Sequence, residues 1–291
     1  MASDDRRAAV HTVAVWFHSF DFGDGVIAAG YKSAETLQRE AKYLPEVRGK
    51  TVLDINTADG WFAFECERRG AARVVAMDEF LWSMDFGEWV TIWRECAKRN
   101  ELPRHPRDTA CWRPHLLPGR AGFDTAHRLL RSNVEHVVAD LATMPESEVP
   151  RLGQFDVVLY LGSLYHMKNP LGALERVRHV TAPGGLAVIE TQAMAIPGHE
   201  QTPLCEVFGP TNTLNYDPTN HWAPNCAAIR ELCLAAGFSR VEVLAGPPTN
   251  AERLGLRAAV HSLLPGPLKP VIRVPATPRP IPFRAWINAR V

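Results

Sequence analysis

Short apolar runs alternate with helix-like stretches through the middle of the chain. Residues 50–56 (KTVLDIN), 73–78 (RVVAMD), 136–140 (HVVAD), 155–162 (FDVVLYLG) and 185–191 (GLAVIET) are β-branched and almost continuously apolar. Runs of that length and character predict strands buried on both faces of a sheet. Between them, WFAFECERRG places Phe62, Phe64 and Cys66 on a helix stopped by Gly70, and LGALERVRHVT predicts a second helix ending at PGG (183–185). IRELCLAAGF predicts a further helix stopped by Gly237, and RVEVLA and PFRAWINARV predict two more strands. Strands alternating with helices in this way predict an α/β fold, a doubly wound sheet that is parallel through its middle.

Two intervals break the rhythm. Residues 82–122 carry Trp82, Trp89, Trp93 and Trp112, and residues 192–224 are rich in Pro, Asn and His. Both read as irregular lid or binding-loop insertions. The organisation expected is an N-terminal cap segment, 1–47, followed by one domain, 48–291, carrying the two insertions. The proline-rich stretch 246–282 reads as an embellishment before the last strand.

Composition narrows the setting. With 291 residues and 46% hydrophobic content, the chain suffices for one core with a cap. Lys plus Arg equals Asp plus Glu at 32 each, so net charge gives no reason to expect a nucleic acid or an anionic membrane. The expected partner is therefore a small molecule, with nucleic acid disfavoured; the oligomeric state is not indicated. The six cysteines (Cys66, Cys96, Cys111, Cys205, Cys226, Cys233) contain no CxxC pair and no zinc spacing. They are expected as free thiols, with no metal. The N-terminus lacks a signal-peptide core and no apolar run spans a bilayer. A cytoplasmic enzyme of secondary metabolism is the expectation.

The chemistry-bearing residues fall at strand ends. Asp54 closes the first strand inside VLDINTADG and Gly60 opens the next helix, a turn through which backbone N–H groups can approach a ligand. Asp78 closes the second strand, where a carboxylate can take both hydroxyls of a ribose, and Asp140 closes the third beside Leu141. Ligands of open α/β sheets bind at these carboxyl ends.

The stretches VLDINTADGWFAFECERRGAARVVAMD and FDVVLYLGSLYHMKNPLGALERVRHVTAPGG resemble class I S-adenosylmethionine methyltransferases. GSLYHMKNPLGAL and NHWAPNCAAIRELCLAAGF resemble, within them, the branch that includes the tRNA uridine carboxymethyltransferases. The resemblance spans roughly residues 48–245 and the final strand. It implies a Rossmann-like, mostly parallel sheet with an antiparallel last strand, and S-adenosylmethionine (SAM) as cofactor. It further implies that Asp54, Gly60 and their loop with Asn56 and Asp59 hold the methionine part, that Asp78 holds the ribose, and that Leu141 and Ala142, beside Asp140, line the adenine; Glu79 is a further candidate for the cofactor. Leu161 and Tyr165 would face the sulfonium. In the family the Asn56 position is normally glycine; asparagine tolerates the left-handed conformation the turn needs, and its side chain then crowds or bonds the amino-acid end of the cofactor.

Methyl transfer from a sulfonium needs in-line positioning and sometimes a base. Tyr165, His166, His18 and His221 are the candidates, His221 alternatively a lid contact, with Arg284 aligned to a basic residue that reaches a carboxylate in the carboxymethyltransferase branch. His166 has an alternative role capping a turn, and Arg284 one as a plain strand arginine. Trp16, His18, Tyr31, Lys32, Trp82 and Trp222 are candidates for the substrate side, the tryptophans alternatively packing their own segments. Three activities are open: methylation of a small molecule; attack at the aminocarboxypropyl carbon, by an acceptor or within the cofactor, releasing methylthioadenosine; or cofactor binding without catalysis.

Overall fold

Seven strands form one sheet in a computed structural model that describes residues 3–248 and 280–291. In chain order they are β1 (Thr51–Ile55), β2 (Arg73–Asp78), β3 (Glu135–Val138), β4 (Phe155–Leu161), β5 (Thr181–Ala195), β6 (Arg240–Ala245) and β7 (Ile281–Arg290). Across the sheet they lie in the order 6-7-5-4-1-2-3. β3, β2, β1, β4 and β5 pair in parallel, and β7 runs antiparallel between β5 and β6. The chain winds outward from β1 to β3 and returns to β4 beside β1. That reversal opens a crevice between the carboxyl ends of β1 and β4.

The alternation of side chains along the strands divides the core into two layers. Val52, Val74, Val157 and Leu186 point to one face, and Leu53, Val75, Val158 and Ala187 to the other. On the first face lie helices α1 (Ser3–His11), α2 (Ala34–Glu40), α3 (Trp61–Arg68) and α6 (Ala121–Leu130); on the second lie α7 (Pro170–Val180) and α8 (Cys226–Ala235). The N-terminal segment shares the first layer, since Val10, Trp16, Phe20 and Leu37 pack in one cluster with Val52 and Phe62.

The insertions are more regular than their sequences suggested. Residues 82–122 were expected to be irregular, but they contain α5 (Phe86–Lys98), preceded by the short α4 (Phe80–Ser83). Phe86, Trp89 and Trp93 recur at helical spacing, and Asp85 caps the helix by accepting the Glu88 N–H at 3.0 Å. Trp89 packs with Met84 and Cys111 in a small core of its own. In the second insertion, residues 192–195 simply prolong β5, and Cys205–Val207 pairs antiparallel with Trp222–Pro224. Most of the proline-rich stretch 246–282 lies outside the described residues. Among the described residues no helix is long and apolar enough to cross a membrane.

Candidate cofactor and transfer site

The loop after β1 turns through three left-handed residues, Asn56 (φ 58°), Ala58 (φ 53°) and Gly60 (φ 84°). Asparagine adopts this conformation more readily than other side-chain-bearing residues. The Asn56 side chain crosses to the end of β4, its Nδ2 donating to Ser163 Oγ at 3.0 Å. Its Oδ1 is buried without a partner among the described residues. Buried acceptors are normally satisfied, so this oxygen is positioned to receive a donor such as the ammonium of an amino-acid ligand. Gly60 is required by packing: a Cβ there would come within 2.7 Å of the Phe123 ring.

Three acids expected at the ligand serve the loop instead. Asp78 is wholly buried; Oδ2 accepts the Ala58 N–H at 2.9 Å and Oδ1 the Leu81 N–H at 2.9 Å. Burial raises its pKa to about 7. It clamps the turn and has no face toward a ribose. Asp54, also raised to about 7 by burial, accepts the Thr57 hydroxyl at 2.5 Å. Asp59 reaches away from the cleft, its Oδ2 accepting the N–H groups of Phe17 at 2.6 Å and His18 at 3.0 Å; burial raises it to about 6.

The acids that remain reachable are Glu79 and Asp140. Asp140 caps its own turn, Oδ1 accepting the Ala142 N–H at 2.9 Å and Oδ2 the Thr143 hydroxyl at 3.0 Å. Arg107, from the first insertion, sits between them, 3.0 Å from Glu79 and 3.4 Å from Asp140. Leu141 is buried in the second core layer, with Ala142 packed against it.

At the other end of the cleft Leu161 and Tyr165 follow β4, with Gly162 between them at φ 70°. Arg284 lies over the Tyr165 ring, 4.9 Å from its centroid, and forms a two-pronged ion pair with the fully buried Glu190, Nη2 to Oε2 at 2.5 Å. Burial presses the guanidinium toward neutrality, but Glu190 outweighs it and Arg284 is held charged. The pair carries no net charge, so it does not repel a sulfonium. Burial raises the Tyr165 pKa against the pull of Arg284, and the phenol is protonated at neutral pH.

His166 and His221 tie this turn to the second insertion. His166 Nδ1 lies 3.1 Å from the Thr219 carbonyl oxygen, which can only accept, so Nδ1 carries the proton. The Thr219 hydroxyl, 2.9 Å from the same nitrogen, donates to Asp217 at 2.7 Å. His166 Nε2 is then the basic nitrogen, and it has no partner among the described residues. Burial lowers the pKa of His166 and, helped by Lys168, that of His221. The His221 backbone N–H donates to the Tyr165 carbonyl at 2.9 Å, and Trp222 Nε1 to Met167 at 2.7 Å. Trp222 borders an apolar groove of about 410 Å³ with Leu164 and Pro224.

Of the remaining substrate-side candidates, Trp82, Trp16 and His18 are corrected by their burial and Lys32 is drawn into an ion pair, while Tyr31 stays exposed. Trp82 is fully buried and donates to the Ala58 carbonyl at 2.8 Å, bracing the turn from behind. Trp16 is core, bonded to the Val10 carbonyl at 3.2 Å. His18 is buried against Phe17 and Phe62, and burial drops its pKa to about 3. Lys32 pairs with Glu40 at 2.6 Å. Tyr31 is exposed against Phe86. Sequence reasoning missed Arg107, Ser163, Glu190, Asp217 and Thr219. Only Glu190 left a signal, a carboxylate inside the apolar run GLAVIET, which demands a cationic partner.

A switch-point crevice, an orphaned acceptor, reachable acids and a neutral Arg–Glu–Tyr wall suit SAM, the cofactor that the chain's family as a SAM-dependent transferase brings with it. The chain belongs to the methyltransferase domain family, whose model matches residues 28–243. It is 27% identical over 213 residues to a tRNA U34 carboxymethyltransferase of Chromohalobacter salexigens, covering 73% of this chain and 51% of that protein. A tRNA U34 carboxymethyltransferase of Klebsiella pneumoniae is 28% identical over 218 residues, 74% of this chain and 51% of its own length. The chain thus spans about half the length of these relatives. The N-terminal domain of EvdMO1 with SAH bound shares the fold at a TM-score of 0.55 and 14% identity, covering 100% of this chain and 98% of that one.

The relatives correct one expectation. They are named for tRNA, which overturns the small-molecule partner and the disfavouring of nucleic acid. The physical reason is that net charge averages over the chain. Between residues 94 and 131 stand nine basic residues (Arg94, Lys98, Arg99, Arg104, Arg107, Arg113, Arg120, Arg128, Arg131) against four acidic ones (Glu95, Glu101, Asp108, Asp124).

Proposed function

We propose that this chain transfers the methyl group of SAM to a nucleoside of an RNA. The observation that carries the reading is the meeting of the two insertions beside the cleft. Trp93 Nε1 donates to the Asn215 carbonyl at 3.0 Å, and the Tyr216 hydroxyl to Asn100 Oδ1 at 2.6 Å. Of the basic residues from 94 to 131, Lys98, Arg99, Arg107, Arg113 and Arg120 are paired with carboxylates; Arg94, Arg104, Arg128 and Arg131 form no ion pair among the described residues and are the ones we assign to phosphate contacts that fix an RNA in place. The names of the curated relatives support the same acceptor.

The cofactor supplies an electrophilic carbon on a sulfonium. Asn56 and Tyr165 hold that end of the cleft, and the Arg284–Glu190 pair keeps the Tyr165 ring in place. Tyr165, protonated, orients the acceptor by donating its hydroxyl hydrogen. His166 Nε2 is the nitrogen able to take the proton the acceptor loses.

The test is release of S-adenosylhomocysteine from SAM with bulk tRNA, compared with the same tRNA digested to nucleosides. Release that needs intact tRNA and falls steeply with salt is the expected result. Release without any RNA, or none with tRNA, would sink the acceptor assignment, and methylthioadenosine in its place would sink methyl transfer.

A further inference from the structure

The second insertion sets residues 217–219 against His166. Asp217 Oδ1 accepts twice from Thr219, from its backbone N–H at 2.8 Å and from its hydroxyl at 2.7 Å. The hydroxyl hydrogen is thereby engaged, and the Thr219 Oγ1, 2.9 Å from His166 Nδ1, is left only to accept from that nitrogen. The Thr219 carbonyl oxygen, 3.1 Å away, accepts from it too. Without a carboxylate behind it the hydroxyl would be free to turn and donate to Nδ1. That arrangement favours the other tautomer, with the hydrogen on Nε2.

Asp217 is held in its place from the first insertion. The two residues before it, Asn215 (φ 57°) and Tyr216 (φ 53°), are both left-handed, a conformation that a tyrosine keeps only where its surroundings compel it. The bonds from Trp93 and to Asn100 at the end of α5 supply that constraint. Other charged groups also face the His166 ring. Tyr165 stacks on it, ring centroids 4.0 Å apart, on its own turn. Arg284 of β7, paired with Glu190 of β5, and His221 of the second insertion oppose a proton on the ring, and Asp217 favours one.

We propose that Asp217 is a positioning residue for the transfer: through Thr219 it holds His166 with Nδ1 protonated and Nε2 bare, able to take the acceptor's proton. The proton arrives on Nε2, Nδ1–H stays bonded to Thr219, and the Asp217 carboxylate stabilises the imidazolium that forms. The inference rests on the reading of His166 as the base. Which ring nitrogen is protonated can be read without any acceptor, so the two are able to fail separately.

The test is nitrogen NMR of histidine-labelled protein, with His166 assigned by the signals lost in His166→Gln, alongside turnover of SAM and tRNA against pH. Wild-type His166 is expected to carry its proton on Nδ1. Asp217→Ala is expected to show a substantial share of the Nε2-protonated form and about ten- to a hundredfold lower turnover. Asp217→Asn keeps an acceptor for the Thr219 hydroxyl but not the charge. Its tautomer should therefore stay, while the His166 pKa falls and the acid limb of the turnover profile moves with it to lower pH. Thr219→Ser, which keeps the hydroxyl, should match the wild type. An unchanged tautomer in Asp217→Ala, or an unmoved His166 pKa in Asp217→Asn, would overturn the assignment; should the alanine variant not fold, the asparagine variant decides. A shifted tautomer with wild-type turnover would remove His166 as the base, and Asp217 from the transfer with it.

Discussion

Asp59 Oδ2 accepts the backbone N–H of Phe17 at 2.6 Å, so the cofactor turn is pinned directly to the N-terminal segment. The same oxygen takes the N–H of His18, and an asparagine with its amide oxygen in that place keeps both bonds. Burial raises the folded pKa of Asp59 to about 6 from an ordinary 3.8. A carboxyl raised on folding binds more protons folded than unfolded between those values. Its contribution to stability is therefore largest below pH 4 and is lost as pH rises through 6. Relative to Asp59→Asn, the wild type should lose up to about 3 kcal/mol between pH 4 and pH 8. Denaturant melts of both proteins across that range check it; parallel curves would refute the raised pKa.

Arg284 and Glu190 make a second prediction. Arg284→Met strands a carboxylate with no exposed surface, a change that costs about 3–5 kcal/mol when a buried pair is broken. The double variant Arg284→Met, Glu190→Met should recover most of that stability without recovering turnover. A single variant as stable as wild type would show that water reaches Glu190.

Tyr165→Phe keeps the ring under Arg284 and removes only the hydroxyl. Turnover is expected to fall by about ten- to a hundredfold while SAM affinity changes by less than threefold, because the hydroxyl acts on the acceptor as the reacting atoms align. Wild-type turnover in Tyr165→Phe would remove the hydroxyl from the reaction.

Asn56→Gly deletes the bond to Ser163 and the orphaned Oδ1 together. Weaker binding of S-adenosylhomocysteine, with little change for methylthioadenosine, is expected if that oxygen meets the amino-acid end, which the second ligand lacks. Equal changes for the two ligands would make Asn56 a turn residue only.

The sheet was legible because apolar runs such as RVVAMD and RVEVLA report buried strands directly, and both match their strands residue for residue. The strand ends were legible for the same reason. The roles of the acids there were not. Asp54, Asp59, Asp78 and Glu79 look alike in sequence, and only folding shows which carboxylates face backbone N–H groups and which face open space. Helix α5 was masked by its tryptophans, whose helical spacing resembled a cluster of binding aromatics. Arg107 gave no signal, since its partners lie 28 and 33 residues away. Net charge misdirected the choice of partner because the basic residues from 94 to 131 are cancelled elsewhere in the chain.

Two of the three left-handed positions in the cofactor turn are occupied by Asn56 and Ala58 instead of glycine. An alanine held there costs on the order of 1 kcal/mol, and Trp82 and Asp78 grip it from its carbonyl and its N–H. Glycine would adopt the same turn freely, but it would also leave it freely, and each ligand molecule captured would then lose that backbone freedom anew. With side chains at these positions the ordering is completed once, during folding. Cofactor binding should accordingly carry a small entropic penalty, and the amides of residues 56–60 should exchange with solvent as slowly in the free protein as in the complex.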